Sequence, residues 1–64
     1  MLLNFTEFGS DNLISINPTK VISVFSSIDE NTKGSTVLLM SGGHFLIKEN
    51  ILDVIGQING ELRQ

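Results

Sequence analysis

The sequence predicts an α+β fold: a small antiparallel β-sheet or open barrel of four to five strands, with one C-terminal α-helix packed against it. Three observations predict it. Five short segments are rich in Val, Ile, Phe, Thr and Leu, which fit a pleated, half-buried surface. Clusters of Gly, Asn, Asp, Ser and Pro separate them. From Ile51 onward the apolar residues change from alternation to helical spacing.

Residues 2–8 carry Leu3 and Phe5 at alternate positions, and the cluster Gly9-Ser10-Asp11-Asn12 ends that strand in a turn. Residues 13–17 form a second short apolar strand. It stops at Asn17-Pro18, because proline lacks an N–H and disfavours a helical residue before it. Residues 21–28 are expected to place Ile22, Val24 and Ile28 on one face, with Val21 and Phe25 in the other phase. Residues 29–35 are the longest polar stretch and read as an exposed loop. Residues 36–41 and 44–49 flank Gly42-Gly43, a tight-turn signal.

The last segment has Ile51, Val54, Ile55, Ile58 and Leu62 on one helical face. Asn50 is a good N-cap, and Asp53 three residues later resembles a capping box with a shorter acid. Asp53 also suits the positive end of the helix, and Arg63 the negative end. Gly56 costs about 1 kcal/mol relative to alanine inside a helix; close backbone approach to a neighbour is the expected reason for it. Gly60 is expected to end the regular helix.

The 64 residues form one domain, spanning 1–64, and a chain this short buries only about 60% of its unfolded surface. With 41% hydrophobic and 17% charged residues it is too apolar to be intrinsically disordered. The absence of cysteine excludes a disulfide framework, and a single histidine excludes a His-pair metal motif. No metal or other cofactor is expected. The four basic residues, Lys20, Lys33, Lys48 and Arg63, are scattered in a chain of net charge −3. Phosphate neutralisation needs clustered cations, so neither duplex nucleic acid nor an anionic membrane surface is an expected partner. No apolar run approaches the roughly 20 residues of a membrane span, and no signal peptide is evident, so a cytoplasmic location is expected.

If Gly42-Gly43 is the hairpin loop, Met40 faces Phe45, Leu39 faces Leu46, and Leu38 faces Ile47. One face of the hairpin then shows Leu38, Met40, Phe45 and Ile47. The other shows Val37, Leu39 and Leu46, ringed by Ser41, His44 and Lys48. Both faces are apolar, and one helix can cover only one of them. The second face is expected to be covered by another subunit, by the N-terminal strands curling into a small barrel, or by a partner protein. Val37, Leu39 and Leu46 are therefore candidate interface residues of a homo-oligomer.

Candidate ligand contacts are Gly42, Gly43, His44 and Lys48, with Asn17 in the Pro18 turn. Backbone N–H groups of residues 41–44 could hold an anion, although no complete phosphate-loop pattern surrounds them. The hairpin turn alone also accounts for the glycines, and a solvent-facing position for His44. The acids are spread singly apart from Asp29-Glu30, and no nucleophile elbow is present, so no catalytic residues and no enzymatic activity are expected.

The run Ile16-Asn17-Pro18, Val21-Ile22-Ser23-Val24, Ser35-Thr36-Val37-Leu38-Leu39, Gly43, Ile47-Lys48-Glu49-Asn50 and Val54-Ile55 resembles the FlbD-type small flagellar and swarming-motility proteins. The resemblance covers residues 16–58 and implies strands followed by a short helix, with a role as a motility adaptor. Two features depart from the pattern: the loop at 29–35 is longer, and the helix opens with Ile51-Leu52 instead of an acidic pair. The residues themselves point to a non-enzymatic, oligomeric binding module. One form of it is a phage-type accessory or inhibitor protein docking on a bacterial protein. The alternatives are a sequestering binder of a small molecule or nucleotide at a subunit interface, and the motility adaptor.

Overall fold

The computed structural model describes residues 1–62, the side chain of Leu62 excepted; the expectations placed on that side chain and on Arg63 lie outside the described residues. All five strands and the helix form. β1 (Leu3–Thr6) and β2 (Leu13–Ile16) make an antiparallel hairpin. β3 (Val21–Ser26), β4 (Thr36–Met40) and β5 (Gly43–Ile47) make a three-stranded antiparallel sheet in the order β3-β4-β5. α1 (Ile51–Leu62) comes last in the chain. The fold is α+β, as expected.

The first hairpin alternates with one exception. Leu3 pairs with Ile16 and Phe5 with Ile14, so these four share one face, while Asn4, Thr6 and Ser15 make the other mostly polar, with the exposed Leu13 opposite Thr6. On that polar face the Ser15 hydroxyl donates to Asn4 Oδ1 at 2.7 Å. After β2 the chain makes one 3₁₀ turn over Pro18–Lys20. The Asn17 side chain caps it, accepting from the Thr19 N–H (3.0 Å) and the Thr19 hydroxyl (2.8 Å).

A short junction joins the two sheets. Glu7 pairs with Ile47, the Phe8 N–H donates to the Leu46 carbonyl at 2.9 Å, and the Lys48 N–H donates to the Thr6 carbonyl at 2.9 Å. The strands therefore run β2-β1-β5-β4-β3 across the molecule. α1 packs against β3 and the Pro18 turn, at the two ends of that order. The core between helix and strands contains Phe5, Ile16, Leu38, Ile47, Val54 and Ile58, with Leu3, Ile14, Val21, Val24 and Met40 packed against it. Phe5, Leu38, Ile47 and Val54 are fully buried.

Four expectations are corrected. The β4–β5 loop is Ser41-Gly42, because Met40 pairs with Gly43, Leu39 with His44 and Leu38 with Phe45. Gly42 supplies the positive φ (+88°) that the turn needs, and Gly43 becomes the first residue of β5. Each residue thus meets a partner two positions from the expected one. Side chains alternate with period two, so the face assignments survive the shift.

In β3 the register slips between Val21 and Ser23, which makes Ile22 an extra residue opposite the Met40–Leu39 step. The bulge puts Val21 and Val24 on the core side and leaves Ile22 exposed, so Ile22 and Val24 do not share a face. Gly56 has no close neighbour: a Cβ there would meet nothing within 4 Å. Gly60 does not end the helix, which continues through Leu62. The N-cap forms as expected, with Asn50 Oδ1 accepting from the Leu52 N–H at 2.8 Å.

Candidate functional site

The three-stranded sheet has an inner face turned to the helix and an outer face turned away. Its register places Ser23, Leu39 and His44 in one outer row and Phe25, Val37 and Leu46 in the next. Leu39 and His44 of the first row and all three residues of the second lie in a groove of about 310 Å³. Phe25, Val37, Leu39 and Leu46 supply its apolar surface, and Ser27, Asp29, Thr32 and His44 line the remainder.

The groove exists because the polar loop folds back over one end of the sheet. The Ser27 N–H donates to the Ser35 carbonyl at 3.0 Å, and the Ser27 and Thr32 hydroxyls lie 2.6 Å apart. A 3₁₀ turn at Glu30–Thr32 is capped by Asp29, whose Oδ1 accepts from the Asn31 N–H at 2.9 Å. The Ser35 hydroxyl donates to the Thr32 carbonyl at 2.7 Å. With its polar groups satisfied internally, this loop can lie against an apolar sheet without the cost of unpaired donors.

The consequence is local cover. Val37, expected to be covered by another subunit, by the N-terminal strands or by a partner protein, is only 7% exposed within the single chain and lies beside the loop instead. Cover stops there: Leu39 remains 36% and Phe25 46% exposed. The outer face is therefore apolar but only partly sheltered by its own loop.

The three residues assigned to an interface, Val37, Leu39 and Leu46, all lie in this groove. Of the five ligand candidates only His44 lines it. Gly42 is in the turn beyond it. Gly43 begins β5. Lys48 pairs with Asp11 on the first hairpin, and Asn17 is occupied in capping the Pro18 turn. Sequence reasoning missed Phe25, Ser27, Asp29 and Thr32 as site residues. The separate phase of Phe25 in β3 was the one local signal for them, because the loop's return over the sheet is a non-local event.

Among the described residues no cluster of three or more His, Asp or Glu side chains could hold a metal ion, and no helix is long and apolar enough to cross a membrane. Comparison with protein-family models, with curated proteins and with solved structures returns no match to this chain.

Proposed function

We propose that this chain is a non-enzymatic binding module whose ligand occupies the groove on the outer face of β3–β4–β5. One observation carries the reading: a concave apolar surface, Phe25, Val37, Leu39 and Leu46, bordered by a few polar side chains. Small-ligand sites have this composition, and volumes from roughly 300 Å³ upward. Size favours a small ligand over a large protein surface. Three strands about 4.8 Å apart and five residues long at about 3.3 Å each cover roughly 240 Å². A stable protein interface needs about 800 Å² per partner.

The test is a thermal-shift screen against metabolites, with Leu39→Lys as the groove variant. A ligand at a hundredfold excess over its Kd adds about 2.7 kcal/mol of stability. The expected result is a raised Tm for the parent protein and none for Leu39→Lys. A ligand that stabilises both proteins equally is the contrary outcome and would place binding elsewhere.

Self-association is a second reading, favoured by β3. This strand ends the three-stranded sheet, carries no charge, and leaves Ile22 64% and Phe25 46% exposed. Such an edge is a template for pairing with a second copy, although the bulge at Ile22 limits the pairing length. Light scattering decides it: a mass of one chain at high concentration removes the homo-oligomer. A motility adaptor, as the FlbD-type resemblance implies, would be one setting for either reading.

A further inference from the structure

We infer that the groove selects a compact organic cation, an ammonium group carried on a flat apolar body. The inference rests on the groove being a binding site and names the chemistry of what enters it. Apolar ligands of every charge would gain from the floor, so the polar and aromatic groups around it must discriminate.

Those groups favour positive charge. The half-exposed ring of Phe25 lines the groove, and an aromatic face attracts a cation within about 6 Å of its centre. Asp29 supplies a carboxylate at the same site. Its Oδ1 caps the Asn31 N–H, which fixes the side chain in place. No lysine or arginine lines the groove among the described residues, which leaves the His44 imidazole as the one basic side chain beside Asp29, and Lys48 is paired with Asp11. The chain's net charge of −3 adds a field of the same sign. A phosphate or carboxylate would meet Asp29 with only the His44 imidazole as a basic partner, so the lining disfavours the nucleotide that a glycine-rich turn would suit. The Ser27 and Thr32 hydroxyls share one hydrogen bond, which leaves a single hydroxyl proton and the His44 ring as hydrogen-bonding groups beside the carboxylate and the Phe25 ring that select charge.

Three compounds of one skeleton isolate the charge: 3-phenylpropan-1-amine, 3-phenylpropan-1-ol and 3-phenylpropionate. Each is titrated into ¹⁵N-labelled protein, with the amides of Phe25, Val37, Leu39 and Leu46 as the readout. All are fragments, so affinities in the millimolar range are expected. The amine should bind about fivefold more tightly than the alcohol, and the carboxylate most weakly. Asp29→Asn keeps the capping oxygen and should narrow the amine's advantage over the alcohol, leaving only the part that the Phe25 ring supplies. Equal binding of amine and alcohol to the parent protein would overturn the charge selection and leave the groove reading intact. Tightest binding by the carboxylate, or an amine advantage unchanged by Asp29→Asn, would also overturn it. If none of the three moves these amides, the groove reading falls as well.

Discussion

Glu49 grips Thr6 with both carboxylate oxygens: Oε1 and Oε2 lie 3.0 and 3.1 Å from the Thr6 backbone nitrogen, and Oε2 also accepts from the Thr6 hydroxyl at 3.0 Å. The two residues are 43 positions apart. The main-chain carbonyl of Glu49 meanwhile accepts from the buried Thr36 hydroxyl at 2.6 Å. One residue between β5 and α1 therefore ties the first hairpin to β4.

Removing this clip should be costly. Hydrogen bonds to a charged group are worth about 1.5–3 kcal/mol. Glu49→Ala should lower Tm by roughly 10 °C or more in a domain of this size. Glu49→Gln, which keeps one acceptor oxygen, should lose less. Calorimetry on the two variants checks the order; equal losses would show that a neutral side chain of the same size recovers nothing, so that the clip depends wholly on the carboxylate's charge.

Leu38→Ala should come close to unfolding the protein. Leu38 is fully buried at the centre of β4. Such truncations cost about 2–5 kcal/mol, whereas a chain of this length holds roughly 3–10 kcal/mol in total. Urea titration should show a much lower midpoint, while Ile28→Lys, at a fully exposed position, should leave the midpoint unchanged.

The glycines should respond with opposite signs. At Gly56 and Gly60 an added Cβ meets nothing within 4 Å, so Gly56→Ala and Gly60→Ala should each stabilise the helix by about 0.5–1 kcal/mol. Gly42 also has open space, but its φ is +88°, and Gly42→Ala should destabilise by about 1 kcal/mol. Chemical denaturation of the three variants measures this. Destabilisation by Gly56→Ala would mean that a second copy of the chain approaches the helix closely there.

Thr32→Ala removes the hydroxyl facing Ser27 and should cost about 1 kcal/mol. Its more specific effect is local. Protection of the Ser27 and Ser35 amides against hydrogen exchange should fall before that of Leu38, because the first two belong to the loop and the last to the core.

The elements and their faces were legible because each depends on local spacing. Alternation at Leu3 and Phe5 and helical spacing at Val54 and Ile58 each name a buried side, and all four residues pack in or against the core. Register was less legible. Either glycine of a Gly-Gly pair can take a positive φ, and the pairing of Met40 with Gly43 gives that role to the first. Ile22 misled for a related reason: a bulge adds one residue to one strand, so strict alternation puts every later side chain of that strand on the wrong side. The groove was half legible. Val37, Leu39 and Leu46 can be read from strand parity, whereas Asp29 and Thr32 reach them only through a return loop whose hydrogen bonds leave no periodic trace.

The Thr6–Glu49 clip and the Glu7–Ile47 junction also set an order of events during synthesis. A ribosome delivers the first hairpin early, yet the groups that complete its free edge emerge some forty residues later. Until then the early ribbon has Phe5 and Ile16 without their partners on β5 and α1. Nascent chains halted before residue 49 should therefore remain protease-sensitive, and the whole domain should close in one late step.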